Sequence, residues 1–228
     1  MKTYIIVGGS KGIGNAIVKK LLDEGHQIIN ISRTPPEQSH TNLEHLSCYV
    51  LSEDLPDINS ADGLVYCPGS INLKPIERFS LEEFREDYEI NVIGAVKCIQ
   101  KYLPILKKSD KPSIVLFSTV AAKLGMPFHT SIAAAKSGVE GLVKSLGAEM
   151  ATTLRINAIA PTVTNTDLAS KLLRNEKMVE NISQRHPMKK FLEPNDVAEM
   201  ADFLLSEKAH TISGQVFEMD CGIVSFKI

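Results

Sequence analysis

One short stretch, Gly8-Gly9-Ser10-Lys11-Gly12-Ile13-Gly14, has the residue types to hold a diphosphate. Glycines let a backbone come close to phosphate oxygens, and a helix that opens at such a turn offers unpaired N–H groups and positive partial charge. The stretch follows the apolar run Tyr4-Ile5-Ile6-Val7 and precedes residues of helical periodicity, the strand–turn–helix context that a dinucleotide loop needs. Lys11 adds a cation inside the loop. The four cysteines, Cys48, Cys67, Cys98 and Cys221, form no C-x-x-C pair and no histidine stands at a finger-like spacing from two of them. Neither a disulfide framework nor a structural zinc site is expected, and no metal.

The elements that must position this loop follow from the pattern of apolar residues. Strands are expected at 4–7, 27–31, 46–51, 63–66, 114–117, 156–159 and 216–219, with Pro161 stopping the sixth. Helices are expected from Ile13 to Gly25, over 131–150 and over 196–205. Another should follow the capping box Ser80-Leu81-Glu82-Glu83 and run through Asn91 towards Tyr102. Strands apolar on both faces, alternating with helices, mean an α/β fold with a doubly wound parallel sheet covered on both sides. No repeat or linker interrupts the pattern, so residues 1–228 read as a single domain. The irregular segment 162–193 is the one long insertion, and such a segment after a late strand is expected to lie over a ligand site.

Composition narrows the function. Lys and Arg number 25 against 27 Asp and Glu, a formal charge of -2, which speaks against nucleic-acid binding by bulk electrostatics. No apolar stretch is long enough for a signal peptide or a membrane span. Free thiols suit a reducing compartment, so a cytoplasmic protein is expected, with no membrane or nucleic-acid partner.

The glycine spacing, Gly8, Gly12 and Gly14, leaves three residues between the first two, where the ordinary dinucleotide fingerprint leaves one. In this the chain resembles the short-chain dehydrogenase/reductase family, whose loop is T-G-x-x-x-G-x-G, with Val7 in the Thr position. The resemblance runs along the whole chain. Tyr66-Cys67-Pro68-Gly69 matches the N-N-A-G turn in degraded form, Asn91 the helix asparagine, and Phe117-Ser118-Thr119 the strand end that carries the serine. Asn157-Ala158-Ile159-Ala160-Pro161-Thr162 matches N-A-x-x-P-G with Thr162 for Gly, and Ser213-Gly214-Gln215 and Asp220-Cys221-Gly222 match the C-terminal G-Q and D-G-G. The resemblance implies a Rossmann-type, three-layer α/β/α sandwich of seven strands in the order 3-2-1-4-5-6-7. It also implies a homodimer or homotetramer built on the helices holding Asn91 and Lys136, and the small-residue face Ala133, Ala134, Ser137, Gly141 would permit close helix approach.

The resemblance implies a nicotinamide cofactor held by Gly8, Ser10, Lys11, Gly12, Ile13 and Gly14. The turn residues Cys67, Pro68 and Gly69, together with Asn91, Lys136, Pro161, Thr164 and Thr166, complete the expected contacts. The discriminating position after the second strand reads Ile31-Ser32-Arg33. Ser32 stands where an NAD enzyme carries an acid for the ribose 2′-hydroxyl, while Arg33 and Lys11 suit a 2′-phosphate. NADP(H) is expected to be preferred, with NAD(H) still usable.

The family's catalytic set is Asn, Ser, Tyr and Lys, with Tyr and Lys one helical turn apart. Lys136 in Ala133-Ala134-Ala135-Lys136-Ser137-Gly138 fits, but four residues before it stands Ile132, which can neither give nor take a proton. Counting back thirteen residues reaches Thr119, with Ser118 the adjacent hydroxyl, and His129 is the best proton donor nearby on chemical grounds. The expected catalytic group is Asn91, Ser118, Thr119, His129 and Lys136. Two functions follow: an oxidoreductase on a small carbonyl or alcohol with an atypical proton path, or a catalytically silent NADP(H)-binding sensor or assembly protein.

Overall fold

The apolar runs form seven parallel strands, and the periodic segments between them form the helices. The computed structural model describes residues 1–226. The chain runs β1 (Thr3–Val7), α1 (Gly12–Asp23), β2 (Gln27–Ser32), β3 (Leu43–Ser47), β4 (Gly63–Tyr66), α2 (Leu81–Tyr88), α3 (Gly94–Leu106) and β5 (Ser113–Phe117). It continues with α4 (Thr130–Glu149), β6 (Arg155–Pro161), α5 (Glu176–Arg185), α6 (Pro194–Leu205) and β7 (Val216–Met219). The sheet order is β3-β2-β1-β4-β5-β6-β7, as expected. The order reverses between β1 and β4, so the loops leaving those two strands part and open a crevice at their carboxyl ends.

Alternation along each strand divides the core in two. Ile5, Val7 and Leu64 face α3 and α4, where Ala95, Ile99, Val139 and Val143 are buried. Tyr4, Ile6 and Val65 face α1 and α6, packing on Ile17, Leu21, Val197 and Ala201. Three layers result, with every central strand covered on both faces.

Three local details differ from the sequence-based expectation. The third strand is Leu43–Ser47, not 46–51, because parallel pairing with β2 sets it: Ile28 lies opposite Leu43 and Ser32 opposite Ser47. Beyond Ser47 the chain turns at Tyr49, whose carbonyl accepts from the amides of Ser52 and Glu53. β6 also runs into Pro161, which pairs with Met219, and the missing proline N–H is no obstacle at a strand end. Finally, the helix through Asn91 is not continuous α-helix. A π-helical turn, Glu89–Ile93, separates α2 from α3. Such a turn carries an extra residue and re-aims the side chains on it. Tyr66 Oη donates to the Ile90 carbonyl at 2.7 Å, and Gly94 makes room, since a Cβ there would collide with the Tyr66 hydroxyl. The capping box is present, Ser80 and Glu83 satisfying each other's backbone amides.

Candidate active site

The glycine loop leaves β1 with Gly8 at φ 80° and Gly12 at φ 54°, conformations that L side chains rarely adopt. Gly14 lies against the Gly8 carbonyl, which is how α1 starts so close to the strand. Asn30 braces the loop from beneath: its Oδ1 accepts from the Gly9 amide at 2.9 Å, and its Nδ2 donates to Ser32 Oγ at 2.8 Å. At the start of α1, Lys11 provides no side-chain cap and the first turn holds no acid. The leading amides of the helix are therefore left to an anion, and the loop fits a diphosphate.

Two of the residues expected to read the ribose behave differently from each other. Ser32 is buried and its hydroxyl donates to the Thr34 carbonyl at 2.8 Å, so it supports Asn30 and the loop instead of presenting a free group to a ribose. The side chain turns inward because alternation on β2 sends it towards Asn30, two residues earlier on the same face. Arg33, on the opposite face, is exposed, its guanidinium over the Tyr49 ring at 5.4 Å from the centroid. Lys11 is also exposed and its ammonium sits 3.9 Å from Asp167, while Gly12 packs beside the Thr166 side chain. The segment after β6 thus touches the glycine loop at Thr166 and Asp167.

From the loop the crevice deepens into a cavity of about 190 Å³. Ile13, Cys67, Gly69, Thr119, Ile132 and Lys136 contribute to its walls, with Pro161, Thr164 and Thr166 on the far side. Lys136 is buried and its ammonium donates to the Phe117 carbonyl at 2.9 Å. Burial pulls its pKa down to about 8. The Cys67 thiol is itself pushed up to about 12 by burial, so it is a neutral wall group. Pro68 does not line the cavity; its ring packs under Gly8 and joins the two crevice loops.

The π-turn holds Asn91 inside. Its Nδ2 donates to the Asp87 carbonyl at 2.7 Å and to Ser70 Oγ at 3.2 Å. Its Oδ1 is buried and, among the described residues, has no partner. A Cβ on Gly69 would stand 3.1 Å from that oxygen and 3.5 Å from the Lys136 ammonium, so the glycine keeps the space between them clear. Thr164 Oγ1 donates to the Thr162 carbonyl and Thr166 Oγ1 to the Thr164 carbonyl. Thr162 in turn donates to Nε2 of the buried His186 at 2.7 Å, while Nδ1–H of His186 donates to Ile182 at 2.8 Å, tying α5 to the end of β6.

The expected catalytic residues separate on inspection. Ser118 is not available: its hydroxyl is buried and donates to Glu140 Oε1 at 2.7 Å. Thr119 faces the cavity; its Oγ1 accepts from the Ala121 amide at 3.3 Å, which leaves the hydroxyl hydrogen free to donate. His129 borders the cavity with Nδ1 engaged by the Pro127 carbonyl at 2.7 Å, leaving Nε2 uncommitted. Ile132 is 5 % exposed and presents only hydrocarbon to the cavity, one turn before Lys136.

Sequence reasoning missed a polar cluster behind this wall. Asp87 Oδ1 accepts from Ser70 Oγ at 2.5 Å and from Asn72 Nδ2 at 3.0 Å, and Oδ2 accepts from Ser131 Oγ at 2.7 Å. The available signal was Asp87 standing four residues before Asn91, hence on the same helix face. Among the described residues no cluster of three His, Cys, Asp or Glu side chains could hold a metal, and no helix is long and apolar enough to cross a membrane.

Residues 51–224 match the family model described as Enoyl-(Acyl carrier protein) reductase. The chain is 30% identical to a tropinone reductase homolog from Arabidopsis thaliana, over 96% of this chain and 91% of that protein. It is similar in structure to the aldohexose dehydrogenase of Thermoplasma acidophilum, with a TM-score of 0.91, 29% identity, and coverage of 99% of this chain and 95% of the other. A structure of an ElxO variant with NADPH bound matches with a TM-score of 0.89 and 25% identity, covering 99% of this chain and 100% of that one.

Proposed function

Because the chain belongs to the short-chain dehydrogenase/reductase family, we propose that it is an NADP(H)-dependent oxidoreductase that interconverts a small carbonyl and an alcohol, with a proton path that bypasses position 132. The observation that carries this reading is the continuity of the site. An uncapped helix start and a glycine loop lead to a cavity walled by Ile13, Gly69, Thr119 and Lys136, with Asn91 buried behind Gly69. Residues Gly8, Ser10, Gly12, Ile13 and Gly14 would hold the diphosphate, and Cys67, Gly69, Lys136, Thr164 and Thr166 the nicotinamide end. When bound, the cofactor supplies or takes up hydride at the substrate carbon. Lys136 would grip the ribose and lend positive charge to the developing alkoxide. Thr119 would give the substrate oxygen a hydrogen bond through its free hydroxyl hydrogen. The cavity walls, largely apolar, would exclude water from the reacting atoms.

Arg33 and Lys11 favour the 2′-phosphate, and no acid stands at Ser32 to favour NAD. The NADPH-bound relative is in keeping with this preference. A homodimer or homotetramer would form through α2, α3 and α4, where Ala134, Ser137 and Gly141 are exposed on one face of α4.

The test is NADPH oxidation against a panel of small ketones, aldehydes and diketones, with NADPH affinity measured separately by fluorescence. Arg33→Ala should weaken NADPH by on the order of 1.5–3 kcal/mol, the value of a charge-assisted contact, and leave NADH within about twofold. Equal losses for both cofactors would remove Arg33 from phosphate recognition. The second reading, a silent NADP(H)-binding protein, is favoured by Ile132 alone; tight NADPH binding with no turnover on any substrate of the panel would establish it.

A further inference from the structure

Asp87 is 1 % exposed, and its three side-chain donors, Ser70, Asn72 and Ser131, are all neutral. Among the described residues no cation lies within salt-bridge distance of it. Burying a carboxylate without a counter-charge is costly, and an aliphatic residue at this helix position would fill the space without that cost. Local choices that work against stability are expected where function requires them.

Of the three donors only Ser70 also lines the cavity, beside Gly69 and within the same wall as Lys136. Its hydroxyl hydrogen is committed to Asp87 Oδ1, and one of its lone pairs accepts from Asn91 Nδ2 at 3.2 Å. A serine oxygen has two acceptor positions, so one remains for a hydroxyl in the cavity. On the far side, Ser131 precedes Ile132 on α4 and holds the other oxygen of Asp87. The polar cluster therefore reaches the cavity next to the wall that Ile132 leaves apolar.

We propose that Ser70 and Asp87 form the proton path of this site, Ser70 contacting the substrate oxygen and Asp87 acting through it as the buried acceptor. The proposal rests on the oxidoreductase reading above. In alcohol oxidation the substrate O–H bond breaks and its proton passes to Ser70 Oγ. The Ser70 O–H bond breaks in the same event, its proton passing to Asp87 Oδ1. The C–H electron pair would leave as hydride to the oxidised nicotinamide of the bound cofactor, and the substrate C=O bond would form. Carbonyl reduction is the reverse: Asp87 returns its proton to Ser70 as Ser70 protonates the alkoxide.

The test compares wild type, Asp87→Asn, Ser70→Ala and Ser70→Thr in steady-state NADPH oxidation with a reactive diketone. NADPH affinity is measured by fluorescence titration without substrate, and thermal unfolding is followed for each protein. Asp87→Asn keeps the shape and an acceptor oxygen but removes the proton acceptor. Asp87→Asn and Ser70→Ala are expected to lower kcat by on the order of 10²–10⁴-fold, the usual worth of proton delivery. The KM and the NADPH affinity should stay within about twofold, and Ser70→Thr should restore most of the rate. Wild-type turnover that survives undiminished in Asp87→Asn and Ser70→Ala would overturn the path and leave the oxidoreductase reading standing. Loss of NADPH affinity and thermal stability in Asp87→Asn, with Ser70→Ala fully active, would assign Asp87 to the support of Asn91 and also overturn it. A folded wild type that binds NADPH but turns over nothing would overturn both readings together.

Discussion

At the scale of single residues, Lys136 sets stability against chemistry. Burial lowers its pKa to about 8 while its side chain finds one acceptor, the Phe117 carbonyl. Below that pH the folded and unfolded chains both carry the proton, and the full cost of burying the cation is present. Between about 8 and the ordinary lysine value of 10.5 the unfolded chain still holds a proton that the folded protein has released, so stability rises with pH across that window. Lys136→Met should therefore raise the melting temperature at pH 7. The gain is about 2 kcal/mol once the lost hydrogen bond is subtracted, or roughly 4–8 °C for a chain of this size. The advantage should shrink as pH rises from 8 to 10, and NADPH binding should weaken at every pH. Thermal unfolding of both proteins across that range checks it; a variant less stable than wild type at pH 7 would mean that Lys136 is not a burdened residue. Lys136, and one turn before it an isoleucine that carries no proton-transferring group, were legible in the sequence. The diversion of Ser118 was not, because its partner, Glu140, lies 22 residues away on a helix that must first dock.

At the scale of elements, the start of α1 shows two opposing effects on one residue. Alanine in place of Gly14 improves helix propensity by about 1 kcal/mol. The added methyl, however, would run into the Gly8 carbonyl, which is backbone and cannot swing away. Overpacking against a fixed group costs about 1–3 kcal/mol, so the collision should win. Gly14→Ala is expected to lower the melting temperature by a few degrees and to weaken NADPH binding at least tenfold, because the helix start must move away from the loop it completes. Calorimetric titration and thermal unfolding check this together; unchanged affinity would mean that the loop does not seat the diphosphate. Elsewhere element type was readable and exact placement was not. The capping box at Ser80 marked α2 correctly, since every group it uses lies within three residues. The edge strand β3 was misplaced by several residues because its limits come from its partner β2, not from its own apolar pattern.

At the scale of the whole molecule, the helical layer exposes several large apolar side chains. Leu81 is 75 % exposed, Tyr88 46 % and Ile93 41 %, and Gly138 packs against the Tyr88 ring. Among the described residues, a Cβ on Gly141 would meet nothing within 4 Å. Leu81 and Tyr88 border one surface pocket, and exposed apolar groups brought together in this way suit a protein–protein contact. Gly141→Arg should fold normally, because the side chain enters open space, and should convert the proposed homo-oligomer into monomer. Sedimentation velocity of the two proteins decides it: a wild type that is already monomeric, or a variant that still assembles, would remove this face from the interface.

The sequence by itself determined what depends on neighbours in the chain. Strand and helix types, the glycine loop, the capping box and the family motifs all rest on interactions within a turn or two, and their residue types are their own evidence. Tertiary structure decided what depends on partners brought together by the sheet. It turned Ser32 inward onto Asn30, committed Ser118 to Glu140, left Thr119 free, and joined Ser70, Asn72 and Ser131 around Asp87. Residues from β4's loop, α2 and α4 meet there only because the strand order reverses at β1 and β4 and brings those elements to one side of the crevice. A carboxylate that reads as one more surface acid in the sequence thereby becomes a buried group one hydrogen bond from a side chain that lines the cavity.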